Sequence, residues 1–518
     1  MSTSQRKRFE RFYLQQLEQL NTLEFAQLTQ DGKVDFLLFR NLLNKNLSQL
    51  NLDLEKDQQI QPLIPFFEEI VRLAEARESG KTINGQESAE TLHQIALEIT
   101  DLTAQINQQS LRSADATGAT RASRRVERLR NTLAQWYGFY HGYDPLFTWW
   151  VKAPFEKVDR ALNEYRNLLR RMSDELSGTN RSRIVGEPIG NAALIKALKF
   201  EQIPYTPAEL VSIAMREFKW CDAEMNKASR ELGFGDDWRA AQDSVKSKFV
   251  PPGDQPKLIY ELAEEAIQFI EQRELVTIPP LCKETWQMRM MSPQRQKVSP
   301  YFLGGQTIQV SYPTDSMDHA DKLMSFRGNN PHFSRAVVHH ELIPGHYLQQ
   351  FMQSRHRTYR SLFATPFWLE GWALYWEMRL WDMDFAQSPE DKIGMLFWRK
   401  HRCARIIFSL SYHMNEMSAD ECIDFLVERV GHERNNSTAE VRRSIEGGYG
   451  PLYQAAYMLG GLQIRRLHEE LVKSGKMSER DFHDAILEQN SIPIELIRAR
   501  LTNQALTPEF KSNWRFAD

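Results

Sequence analysis

Apolar positions in the first third of the chain recur at three- and four-residue steps. Over Phe9–Leu28, Val34–Leu50 and Leu63–Glu78 that spacing lays one apolar stripe along each segment and predicts helices. A polar stretch rich in Ser, Ala and Thr, Gln108–Ser123, predicts an exposed loop. The helical period then returns over Arg124–Tyr137 and, after the aromatic run GYDPLFTWWVKAP, over Glu156–Leu176. Ser177–Asn191 (SGTNRSRIVGEPIGN) has the composition of a connector and predicts a boundary between an N-terminal helical half, 1–180, and a second half, 181–518. Helices resume at Thr206, where TPAEL reads as a capping box with proline in the first helical position. Another helix is predicted over Lys257–Glu274, after the FVPPGDQP turn. One segment departs from the helical period: in GGQTIQVSYP, Thr307, Ile308, Val310 and Tyr312 are strand formers bounded by glycines and a proline. Long helical patterns dominate again from Phe333 to Glu470. The expected fold class is mainly α, a large multi-helical body with a small β-sheet.

Composition narrows the function classes. The 518 residues are 42% hydrophobic and 26% charged, enough for a sizeable core and too apolar for a disordered chain. Lys+Arg 65 against Asp+Glu 68 leaves a net charge of -3, so no basic field draws nucleic acid. No stretch approaches the roughly eighteen apolar residues of a membrane span. The start, MSTSQRKRFERFY, is basic with no apolar run after it. No secretory signal is expected, and the cytoplasm is the default compartment, with a processed periplasmic or secreted form left open. Cys221, Cys282, Cys403 and Cys422 are scattered, form no C-x-x-C pair and are expected to be reduced, buried thiols. The string Ser79–Thr82 (SGKT) has Glu75 where a phosphate-binding loop needs its first glycine, and no G-x-S-x-G elbow is present.

The stretch that carries chemistry is Ser334–Phe351, SRAVVHHELIPGHYLQQF. A zinc hydrolase needs imidazoles and a carboxylate on the ion, an open position for water, and a nearby base. In an H-E-x-x-H helix the two histidines are four apart and nearly share a face. His340 and His346 are six apart, which on a regular helix is about 120° off alignment and about 9 Å along the axis. Pro344 and Gly345 lie between them. Pro344 lacks an N–H and clashes with the carbonyl four residues back, and Gly345 tolerates almost any dihedral, so a local irregularity can return His346 to the ion. Downstream, FWLEGWALYWEMRLW carries Glu370 and Glu377, seven apart and about 20° from the same helical face. Glu370 is the natural third ligand. Glu377 either orients a ligand histidine or is an ion-paired structural carboxylate. His339 is a core residue or a support for a ligand.

These pieces also carry a resemblance. HHELIPGH, EGWALYWE, FWRKHRCARIIFSLSYHM (Phe397–Met414) and GYGPLYQAAYMLGG (Gly448–Gly461) resemble the domain of unknown function 885 family, as do GYDPLFTWW, IVGEPIGNAAL, RGNNPHFSRAVVHHE and EVRRS. The resemblance implies a gluzincin-like zinc metallopeptidase: a zincin-like body with a deep cleft, a small sheet at the cleft edge, and 181–518 as the catalytic half. It implies His340, His346 and Glu370 as Zn2+ ligands and Glu341 as general base. The expected partner is a peptide, cut through a metal-activated water, with exo- and endo-cleavage both open.

An oxyanion donor is expected from Tyr457, Tyr449 or His413, the tyrosines being otherwise packing residues. The strand through Ile308, Val310 and Tyr312 would hold a peptide backbone by strand addition. Arg402, Arg405, Arg442 and Arg443 are candidates for a substrate C-terminal carboxylate, or else ion-paired helix residues. Two other readings stay open: a metal-stabilised helical protein that binds peptides without cutting them, and a zinc amidase or esterase.

Overall fold

The computed structural model describes residues 1–108, 115–176, 182, 184–296, 304, 307–311 and 313–517. It is mainly helical, with one two-stranded sheet among the described residues. The chain divides into two compact units. The first is Met1–Leu23 with Arg40–Glu187, and the second is Glu24–Phe39 with Pro188–Asp518. Set beside the boundary expected at 180/181, the division falls after Glu187, and a short early segment belongs with the second unit.

In the first unit the long helix Pro145–Leu176 packs on both Gly85–Asn107 and Ala116–Tyr140. Ile95, Ile99, Val126, Trp136, Phe147 and Leu162 lie in their shared core. The polar stretch expected to be a loop corrects itself here. Helix begins at Ala116, capped by the Asp115 carboxylate accepting from the Gly118 N–H at 2.7 Å, so Ala116–Ser123 is helix; residues 109–114 lie outside the described residues. Gly118, Ala119, Ala122 and Ser123 are buried, and the Ser173 hydroxyl donates to the Ala116 carbonyl at 3.0 Å. Small residues there mark close helix packing, which composition alone reads as a loop.

In the second unit Thr206 closes the capping box with Glu209 at the head of Pro207–Glu231. The helix Pro389–His413 is buried along most of its length although it carries Arg399, Lys400, Arg402 and Arg405. Each of these cations meets a carboxylate: Arg399 reaches Glu217 at 2.9 Å, Lys400 reaches Asp222 at 2.9 Å, Arg402 lies 3.5 Å from Glu377, and Arg405 donates to Glu440 at 2.7 Å. Buried charge persists only with such pairing. The helices Pro366–Asp382 and Tyr453–His468 make the tightest pair. They touch at Gly371 and Gly460, where a Cβ on Gly371 would stand 2.6 Å from the Gly460 Cα. That approach sets Glu370 beside Tyr453.

The sheet pairs β1 (Gln287–Met290) in parallel with β2 (Thr307–Val310), in register Gln287↔Thr307 through Met290↔Val310. Ile308 and Val310 are buried, while Thr307 and Gln309 are half-buried on the other face. All four cysteines are free and buried. Among the described residues, no helix is long and apolar enough to cross a membrane.

Candidate metal centre

The site starts from a broken helix. Asn330 caps Pro331–Glu341 by accepting from the His332 and Phe333 N–H groups at 3.0 and 3.1 Å. That helix stops at Glu341, and a new one begins at His346. Between them Leu342 leaves helical geometry (φ -106, ψ -107), the Ile343–Pro344 bond is cis, and the Gly345 N–H donates to the His339 carbonyl at 3.0 Å. A Cβ on Gly345 would lie 1.9 Å from the His340 carbonyl oxygen, so only glycine fits. The Trp372 indole fixes the link by donating to the Pro344 carbonyl at 2.8 Å. The six-residue spacing therefore does not run along one axis. The two imidazoles face each other with ring centroids 4.8 Å apart and planes at 89°.

Glu370 completes the group. Its Oε2 is 3.2 Å from His346 Nε2 and 3.9 Å from His340 Nε2, and one donor atom from each of the three residues lies within 4.8 Å of the others. Two ligands held about 2.0–2.1 Å from zinc at tetrahedral angles stand about 3.3 Å apart. The donor set is chemically right and spatially close to that requirement, so the residues fit a zinc ion.

Surrounding groups orient each of these three side chains. Glu377 Oε1 is 2.6 Å from His340 Nδ1, which turns Nε2 toward the cluster, and Arg402 stands 3.5 Å behind that carboxylate. Gln349 donates to the Trp368 carbonyl at 2.9 Å, which presents its Oε1 to His346 Nδ1 at 3.4 Å. The Tyr453 hydroxyl donates to Glu370 Oε1. Burial opposes charge on His346, but Glu370 outweighs it and lifts the imidazole to about 9. Burial likewise opposes charge on Glu370, yet the two histidines hold its carboxyl well below the usual range. Glu370 thus demands a cation, which a proton on His346 or a divalent ion would supply. Burial also opposes charge on Glu377, and Arg402 with His340 brings it below its ordinary value.

The cluster opens into a cavity of about 470 Å³, lined also by Glu341, Gly304, Gln309, Arg402, Arg405, Arg443, Tyr449, Tyr453 and Tyr457. The Glu341 carboxylate lies hard against the Gly304 backbone: a Cβ there would be 1.9 Å from Oε2. The Tyr457 ring stacks 6.3 Å from that of His340, with burial pushing its hydroxyl up to about 12. A larger hollow in the first unit, about 670 Å³ around Trp149 and Lys152, gathers no ligand set.

Several expected site residues lie elsewhere. His339 is buried with its ring 5.8 Å from Phe385, and neither ring nitrogen has a hydrogen-bond partner; burial drops it to about 3. His413 ends the helix Pro389–His413 and does not line the cavity. Arg442 faces Glu446 at 3.9 Å, while its neighbour Arg443 reaches the cavity. Ile308 and Val310 point into the core, and Gln309 between them lines the site. Tyr312 lies outside the described residues. Tyr453, Gln349 and Glu440 come into the site without having been singled out from the sequence.

Comparison with known proteins gives a family and a fold. The family described as "Bacterial protein of unknown function (DUF885)" matches residues 1–501. No curated protein matches. Among solved structures, the chain is similar to a candidate lipoprotein of unknown function from Shewanella oneidensis, with 19% identity, TM-score 0.72, and 97% of this chain and 93% of that one covered. It is also similar to a candidate lipoprotein from Colwellia psychrerythraea, with 16% identity, TM-score 0.56, and 82% and 76% covered. At these identities the likeness speaks for the fold alone.

Proposed function

The chain belongs to the DUF885 family of bacterial proteins, and from its site geometry we propose that it is a zinc-dependent peptidase with a zincin-like body and a substrate cleft leading to the metal. One observation carries the reading. His340, His346 and Glu370 converge within 4.8 Å, with Glu377 aiming His340 from behind and Glu341 in the same cavity. His340, His346 and Glu370 would hold the ion, which when bound supplies a Lewis acid and a water acidified to a pKa of about 7.

The remaining work falls to side chains. Glu341 takes a proton from the attacking water and returns it to the leaving amine. Gly304, lacking a side chain, leaves room for that carboxylate. The Tyr457 hydroxyl, raised to about 12, keeps its proton at neutral pH and is the donor for the developing oxyanion, a role typically worth about 3 kcal/mol. Tyr453 is already committed to Glu370. The substrate class is peptides.

The test is a mixed peptide pool incubated with zinc-loaded protein and with Glu341→Gln. Wild type is expected to cleave and to stop with chelator, while Glu341→Gln keeps about one zinc per chain and does not cleave. Zinc-loaded wild type without cleavage supports instead a protein that binds peptides and leaves them whole. Cleavage by Glu341→Gln removes the assigned base.

A further inference from the structure

We infer that the arginine-lined part of the cavity receives the C-terminal carboxylate of the substrate, so that peptides are cut close to a free C-terminus. This rests on reading the site as a peptidase and specifies which peptides it takes. Arg402, Arg405 and Arg443 line the same cavity as the metal cluster, and Arg402 and Arg405 are only 6% and 3% exposed. Two carboxylates face these three guanidinium groups. Glu440 accepts from Arg405 Nε at 2.7 Å and stands 3.8 Å from Arg443. Glu377 lies 3.5 Å from Arg402 but already holds His340 at 2.6 Å. The two histidines that line the same region, His401 and His432, bond to each other at 2.9 Å and add no charge at neutral pH, since burial depresses both.

Three guanidinium groups share two carboxylates within 4 Å, so one of these cations has no carboxylate of its own. Donor capacity is left as well. Arg402 Nε, Arg405 Nη1 and Arg443 Nε are buried without a hydrogen-bond partner. A monoanion with two acceptor oxygens matches both surpluses, and a guanidinium fork matches a carboxylate.

Position selects the terminal carboxylate. The Tyr457 ring neighbours both the metal cluster and the cations, 6.3 Å from the His340 ring and 4.5 and 4.8 Å from the guanidinium carbons of Arg405 and Arg402. Those spans put Arg402 and Arg405 within about 11 Å of His340, and an extended chain covers about 3.3–3.6 Å per residue. At most about three residues fit between the reacting carbonyl and the anion, and a cavity of about 470 Å³ suits a fragment of that size.

The experiment uses hexapeptide pairs of one sequence, as free acid and as C-terminal amide, with zinc-loaded full-length protein and mass-spectrometric product mapping. In parallel, calorimetry measures an acetylated tripeptide acid and its amide on Glu341→Gln. The free acids are expected to lose one to three C-terminal residues, with kcat/KM and binding each favouring acid over amide by roughly 30-fold. Arg405→Lys keeps the charge without the fork and should collapse that ratio below about 5-fold. Arg443→Ala, at a side chain 36% exposed and therefore tolerant of change, should lower it too. Equal binding of acid and amide, or absent binding of both, overturns the inference, as do internal cuts or a ratio unmoved by both arginine variants. Acid-selective binding without cleavage upholds the carboxylate site and defeats the peptidase reading instead.

Discussion

On the proposed zinc reading, Glu377→Gln isolates the group that orients His340 without touching the three residues that would hold the ion. The Glu377 side chain is 6% exposed, and its Oε1 accepts from His340 Nδ1 at 2.6 Å. Glutamine preserves shape and can still accept that bond, so the change removes only charge. A bond to an ionised acceptor contributes about 1.5–3 kcal/mol against about 0.5–1.5 for a neutral one, a loss of about 1–1.5 kcal/mol. Arg402, 3.5 Å away, then stands near the cluster without its counter-charge and adds repulsion toward a divalent ion. The two effects have one sign. Zinc affinity should weaken by about 10- to 100-fold, the range found when such supporting carboxylates are removed. Competition against a chromophoric chelator at pH 7 measures it, with far-UV circular dichroism to verify that the helices persist. A folded Glu377→Gln protein with zinc affinity within twofold of wild type would refute the aiming role.

Three further outcomes follow from the same structure. Gly304→Ala should displace the Glu341 carboxylate, leaving zinc content intact and lowering kcat by about 10- to 100-fold; an unchanged kcat in steady-state assays speaks against that contact. Gly371→Ala should force apart the helices Pro366–Asp382 and Tyr453–His468 at a cost of about 1–3 kcal/mol, read as a lower urea midpoint with the slope unchanged. Glu495 is fully buried, and burial outweighs Arg498 to push its carboxyl up to about 7. Its folded value lies above the unfolded one, so this contribution to stability is complete below about 4.5 and is lost as pH rises through about 7. Glu495→Gln should therefore be more stable than wild type by on the order of 2–3 kcal/mol at pH 8 and indistinguishable from it at pH 4. An equal gap at both pH values in urea titrations contradicts the assignment.

Local patterns carried much of this fold. Helical periodicity locates most long helices, TPAEL predicts a capping box that Thr206 and Glu209 form, and Thr307–Val310 reads as strand in both sequence and structure. What eluded the pattern depends on neighbours distant in sequence. Ala116–Ser123 is helix because its small residues let another helix approach, and β1 (Gln287–Met290) is too short and polar to announce itself. At the site, the sequence names three residues whose donor atoms the fold brings together, since Pro344 and Gly345 advertise a break in the helix. Tyr453 reaches Glu370 from 83 residues away through a glycine contact between two helices, which no spacing rule encodes. Arg442 and Arg443 differ by about 100° around their helix, and composition cannot tell which of the two faces inward.

Diffraction from zinc-soaked crystals, recorded on both sides of the zinc absorption edge, locates any bound ion among these side chains. One anomalous peak is expected, within about 2.0–2.2 Å of His340 Nε2, His346 Nε2 and a Glu370 carboxylate oxygen. No peak there, or zinc held only by other side chains, contradicts it.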